Sequence, residues 1–442
     1  MKSVNKFACM SILVAAYLFC GCSKCNKDGA GQCASVAKTY KPLVGTNAFA
    51  VVVADYGKML ADPLLLAFND LAEKKSKEIG EAIKGKSPET VPEKLAKYSE
   101  MSRDDAIRHF YGVEPSDIKW GVGAIEKFDP VALAEGYPTN VVAPHVYAVI
   151  HSSRSLDIDK IVAAYRELFQ AVCESSPEAS NAVAQASEEY AKCASFKRIE
   201  IDGVPAYRLT IADPDTGDKI GGVAPLATTI CEGKLLVFAF SDDTLTHVKG
   251  LYGGTEPCAS AESAIGRELS IPGNVLLRMA VTGIDDFAAA VKKCCKEEDD
   301  GEEEEDDGGP APEDINCARF DVGFDSDKTN LFIRAAADFI KADEAAKLAK
   351  EAQEGITGSM ALVQMMLGMK PELAFVGQII QTLQVANSGN TLAAGIAIPY
   401  SAIESIDCGK LAEMIIEAQK STPTLPINLP GGKDDVKDDV FE

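Results

Sequence analysis

Apolar residues fall into short runs and helical stripes along most of the chain, and the two kinds alternate. Residues 48–54 (AFAVVVA) read as a buried strand. Residues 56–84 follow as a helix, with Met59, Leu60, Leu64, Leu65, Leu66, Phe68 and Leu71 as its apolar positions. Ser102 is placed to cap a helix reaching Phe110, with Asp104 and Asp105 in the first turn, where the helix dipole favours acids. Residues 120–126 and 142–151 read as strands, 156–173 as an amphipathic helix and 181–193 as a further helix. Two hairpins come next. Residues 197–201 and 204–212 meet at Asp202-Gly203, and 226–231 and 234–241 meet at Glu232-Gly233, before a helix over 243–252.

The second half rhymes with the first. A strand over 274–281 and a helix over 284–295 are followed by alternating strands at 318–324 and 331–336. Helices at 342–369 and 371–382, a hairpin pairing 383–386 with 391–398, and a helix from Tyr400 complete it. The pattern predicts an α+β fold of antiparallel sheets with helices packed on one face, in two similar halves. The boundaries fall at 45–255 and 256–420. An acidic disordered insertion is expected near 296–314, because ten carboxylates in the eleven positions 297–307 repel one another. Residues 421–442, rich in proline, glycine and charge, are expected to form a disordered tail.

The first 22 residues have a different character. Lys2 and Lys6 precede an apolar run over 7–19, then Phe19-Cys20-Gly21-Cys22. A run of that length spans about 20 Å as a helix, short of the roughly 30 Å of a bilayer core, and suits the apolar region of a signal peptide. The arrangement resembles the precursors of bacterial lipoproteins, in which cleavage before a cysteine makes that cysteine the lipidated N-terminus. Phe19 stands where leucine is usual in that family. The resemblance implies a signal peptide over 1–21, lipid on Cys22 and a flexible tether over 22–44. Two or more acyl chains hold a protein at a membrane where one does so only marginally. Ser23 follows the cysteine in place of the aspartate that retains lipoproteins in the inner membrane, so the resemblance favours the outer membrane. The two-half pattern is also similar to uncharacterised α+β proteins of the bacterial envelope, a likeness that carries no functional residues.

Charge and cysteine content narrow the partners. The formal net charge of −23 opposes binding to nucleic acid or to anionic lipid headgroups. Removing Cys9 and Cys20 with the leader and Cys22 to the lipid leaves an even number of the 13 cysteines, which permits disulfides in an exported chain. Cys25 with Cys33 would close a loop in the tether, and Cys294 or Cys295 with Cys317 would pin the base of the acidic insertion. Cys173, Cys193 and Cys231 read as small core residues.

The motifs that suggest chemistry fail on context. Residues 80–87 fit the spacing of a phosphate-binding loop, but a helix runs into them where a strand is required, and Pro88 and Pro92 follow. The run over 297–307 lacks calcium-loop spacing, and Asp213 to Asp218 is a better-spaced acidic turn whose Asp-Pro and Thr-Gly pairs mark a turn in any case. His145 and His151 share a face of one strand but lie about 20 Å apart, too far to hold one ion. His109 is placed to pair with Asp105 on its helix. Thr357-Gly358-Ser359 lacks the geometry of a nucleophile elbow, and Ser35 to Lys38 sits in the tether. No cofactor or metal site is expected. The sequence therefore points to a lipid-anchored envelope protein acting as a structural, interaction or binding module with an envelope protein partner. The alternatives are a hydrolase whose site is assembled from distant residues and a carrier of an apolar solute.

Overall fold

The computed structural model describes residues 40–83, 97–98, 101–128, 144–175, 194–201, 203–211, 226–260, 263–272, 274–285, 288, 314–325, 329–369 and 373–421. The leader, Cys22, Cys25, Cys33, Cys294, Cys295, the acidic insertion, the helix expected at 181–193 and the tail lie outside them.

Twelve strands form one antiparallel sheet. They are β1 (Ala48–Ala54), β2 (Ile118–Glu126), β3 (His145–Ser152), β4 (Ala194–Ile201), β5 (Val204–Ile211) and β6 (Leu226–Ile230), then β7 (Leu235–Ala239), β8 (Val275–Thr282), β9 (Ile315–Phe324), β10 (Asn330–Phe339), β11 (Gln384–Ser388) and β12 (Thr391–Pro399). The spatial order is β11-β12-β10-β9-β8-β1-β2-β3-β7-β6-β5-β4. Strands β1 and β8 lie side by side at the centre, with Val52 opposite Met279. Outward from that pair, β1-β2-β3-β7-β6 on one side corresponds to β8-β9-β10-β12-β11 on the other. The strand order is thus alike on the two sides of the centre of one shared sheet, and β4 and β5 extend one side beyond it.

The helices are α1 (Tyr56–Ala61), α2 (Pro63–Ile83), α3 (Arg103–Tyr111), α4 (Ile158–Ser175), α5 (Asp242–Gly253), α6 (Ala264–Glu268), α7 (Ala342–Met369), α8 (Ala374–Ile380), α9 (Tyr400–Glu404) and α10 (Cys408–Ser421). Local chemistry sets their ends. The Ser102 side chain accepts from the Asp105 N–H to start α3, and Gly112 closes it in the left-handed conformation. Ser241 and Ser263 cap α5 and α6 in the same way.

In the first half helices cover both faces of the sheet. On one face Val51, Val53, Val122, Tyr147, Val149, Leu235 and Val237 pack with Leu245, Val248 and Leu251 of α5 and Ile265 of α6. Side chains alternate along a strand, so Ile150 and Leu236 point the other way, against Ile107 and Tyr111 of α3 and Ile161 of α4. A third cluster joins the halves: Phe68 of α2 meets Leu276 and Phe324, with Tyr400 and Ile403 of α9 alongside. Helix α2 also docks on the entry to α10, where the Lys75 ammonium donates to the Ile406 carbonyl at 2.7 Å.

Candidate functional site

Two clusters of buried polar side chains sit on the face that α5 and α6 cover, and they differ in kind. The first receives the chain as it enters the fold. Residues 40–45 form a strap with a 3₁₀ turn at Lys41–Leu43, in which Leu43 and Val44 are fully buried. Its backbone is tied on all sides. Ala259 N–H donates to the Val44 carbonyl at 2.6 Å, Tyr147 O–H to the Leu43 carbonyl at 2.8 Å, and Tyr40 O–H to the Leu269 carbonyl at 3.4 Å. Glu126, at the end of β2 and 2% exposed, takes the Gly45 N–H at 2.7 Å. Its carboxylate also accepts from His247 Nε2 at 2.8 Å, and it lies against the Tyr147 hydroxyl, whose single proton is shared between Glu126 and the Leu43 carbonyl. Burial opposes ionisation of Glu126, but the bonds from His247, Tyr147 and Gly45 outweigh it and hold the carboxyl below its ordinary range. Tyr147 is pushed well above its ordinary value by burial and the adjacent Glu126. Gly45 is required here because a Cβ would lie 2.1 Å from Glu126 Oε2.

Because an ionised carboxylate only accepts, neutral His247 carries its hydrogen on Nε2. Its Nδ1 then faces Glu256 Oε2 at 4.0 Å and makes no hydrogen bond among the described residues. The His145 ring meets His247 edge-on at 4.6 Å between centroids, and its own buried Nδ1 is likewise unbonded. Burial, with Lys127 and His247 nearby, pushes His145 down.

The second cluster is a ladder of permanent charges across β8, β9 and β10. Arg278 binds Asp321 through two bonds of 2.6 and 2.7 Å and donates to the Glu268 carbonyl at 3.1 Å. Arg319 Nη1 lies 3.2 Å from Asp338 and 3.7 Å from Glu268, whose carboxylate is also 3.6 Å from Arg278. Thr391 donates to the remaining Asp338 oxygen at 2.6 Å. Glu268, Cys317 and Asp338 bring one potential metal-ligand atom each to within 4.8 Å of one another. A cleft of about 290 Å³ opens beside them. Arg319 already supplies the cation between the two carboxylates. Burial, Glu268 and Asp338 push the Cys317 thiol up to about 12, so it stays protonated and is a poor nucleophile.

Cys317 is a free thiol, so the expected link to Cys294 or Cys295 is not made. Its side chain is buried on the strand face that carries Asp338, and Cys294 and Cys295 lie outside the described residues. Cys231, read as a small core residue, does pack partly buried against the first core cluster and is also disulfide-bonded. His109 does not pair with Asp105. Arg108 takes that carboxylate, and the His109 ring packs edge-on against Phe110 at 4.9 Å. His151, on the other end of β3 from His145, stacks on Trp120 at 5.1 Å and pairs with no second histidine.

Sequence reasoning missed Glu126, Tyr147, His247, Arg278 and Asp321 as partners. Arg278 did leave a signal, being the one charge inside an otherwise largely apolar strand, and Asp321 stands two residues from Arg319 in a strand of mixed character. The others left none, since Glu126 and His247 are 121 residues apart.

No protein-family model, curated protein or solved structure matches this chain. Among the described residues, no helix is long and apolar enough to cross a membrane.

Proposed function

We propose that the protein is a lipid-anchored component of a bacterial cell envelope, tethered through Cys22 and acting as a non-catalytic structural or interaction module. The observation that carries this reading is the leader, a basic start and short apolar run ending in Phe19-Cys20-Gly21-Cys22. Two structural features support it. The strap, whose residues 40–44 were expected within the flexible tether, is instead folded onto the body, held by Glu126 of β2, Tyr147 of β3 and the Leu269 carbonyl just after α6. A body moored by its N-terminus needs such an attachment, because any pull on the tether is delivered there. The Cys231 disulfide suits an oxidising compartment outside the cytoplasm.

Under this reading the charge of −23 keeps the body off anionic headgroups, and the lipid alone supplies membrane affinity. The outer membrane is favoured by Ser23. The partner is another envelope protein rather than nucleic acid. Fractionation of cells expressing the Cys22→Ser variant tests the reading. The native chain is expected in the membrane fraction and the variant in the soluble fraction or as uncleaved precursor. A variant that is processed and stays with the membrane would rule out the lipid anchor.

A further inference from the structure

We propose that the chain forms a symmetric dimer in which β11 of one copy pairs antiparallel with β11 of the other, joining two sheets edge to edge. The two border strands of the sheet, β4 and β11, are built differently. Strand β4 carries Lys197, Arg198 and Glu200 in its eight residues, and its Phe196 carbonyl takes Arg166 Nη2 of α4 at 3.1 Å. Charged side chains on a border strand keep other strands away. The five residues of β11 carry no charge, and among the described residues no strand lies beyond it.

Bond directions along β12 fix which groups of β11 face outward. The Asn390 carbonyl faces β10, where it accepts the Phe339 N–H at 2.8 Å. Direction alternates along a strand, so Thr391, Ala393 and Gly395 turn their bonds toward β11. Ala397 does the same, its N–H and carbonyl meeting the Thr382 hydroxyl at 2.8 and 2.6 Å. Their partners Ser388, Ala386 and Gln384 are therefore spent on β12, and the N–H and C=O of Val385 and Asn387 point outward. A two-fold axis through Ala386 sets Val385 of one copy against Asn387 of the other, so every outward group finds a partner.

Charge favours a second copy as the occupant. The chain carries −23 and a quarter of its residues are charged, yet residues 356–403 contain only Lys370 and Glu372, which cancel. This border is where two acidic copies approach with least repulsion. Helix α7 adds apolar surface to it. The helix packs on β11, β12 and β10, and its Met365 is 59% exposed, the most of any large apolar side chain described. The same axis places both α7 helices on one face of the joined sheet. With strands about 4.8 Å apart, helices over β11 and β12 of each copy come within reach of the 8–10 Å separation of packed helices.

Cysteine cross-linking of the purified full chain tests the register. On the axis the two Ala386 Cα atoms lie about 4.5 Å apart, within disulfide reach, whereas the two Gln384 Cα atoms lie about 14 Å apart. Oxidised Ala386→Cys is expected to run as a covalent dimer on a non-reducing gel, and Gln384→Cys as a single chain. Light scattering on the native chain at about 100 µM, well above a micromolar Kd, is expected to give twice the chain mass. Asn387→Pro gives up no backbone bond to β12 and is expected to be monomeric with its unfolding temperature kept. Asn387→Lys, which guards the border as β4 is guarded, is read in the same way if the proline variant does not fold. A native chain of single mass would overturn the self-pairing and leave the border to a strand of another protein. Equal cross-linking at 384 and 386, or a dimer that survives the position 387 substitutions, would also overturn it. None of these results depends on lipid at Cys22.

Discussion

The two buried polar clusters solve one problem in different ways. Around Arg278, every carboxylate faces a guanidinium that cannot lose its proton near neutrality, so the ladder keeps its charges over the physiological range. Around Glu126, the facing groups are a phenol, a backbone amide and an imidazole, and none of these carries a permanent charge. The ladder lies within the second half of the sheet, whereas the imidazole cluster holds the chain's entry into the fold. The comparison teaches that charged pairs tie strand to strand within the sheet, while a single carboxylate held by mostly neutral donors receives the incoming chain.

Breaking the ladder should have the largest effect. Arg278→Met leaves Asp321 buried without its partner, and a loss of about 3–5 kcal/mol is expected in denaturant unfolding, with little change between pH 6 and 8. Acidification should act on the buried histidines of β3, one in the Glu126 cluster and one outside it. His151 is pushed down to about 4 by burial and by Lys119 and Lys234, and His145 is also lowered. A histidine with a depressed folded pKa contributes stability that is fully present above its unfolded value and lost as pH falls through the folded one. Stability should therefore fall below pH ~6.5, by up to about 3 kcal/mol from His151 alone by about pH 4. Glu126, also depressed, removes more below its unfolded value of about 4.3. The chain's one tryptophan, Trp120, stacks on His151, so its fluorescence should report that titration.

Gly45→Ala sharpens the comparison at a single atom. The added methyl meets the Glu126 carboxylate, and about 1–3 kcal/mol should be lost, with amide hydrogen exchange of the strap raised and the Arg278 ladder undisturbed. Ser102→Ala should have the smallest effect, costing about 1 kcal/mol through the start of α3, far from both clusters. Calorimetry of both variants at pH 7 checks the order.

The elements were largely legible in the sequence because their signals are local. AFAVVVA is β1, β4 and β5 pair as the expected hairpin with Gly203 in the turn between them, and the helix expected over 342–369 matches α7. The merging of two halves into one sheet was not legible, since nothing local tells β1 that it will pair with β8. The polar clusters were hidden for the same reason. His145 was weighed against His151 on its own strand, and the ring it meets belongs to α5.

The anchor itself is tested most directly by the mass of the mature N-terminal peptide from membrane-extracted protein. The account predicts a chain that begins at Cys22 and carries diacylglycerol on its sulfur. A peptide that begins elsewhere, or an unmodified Cys22 thiol, would contradict it.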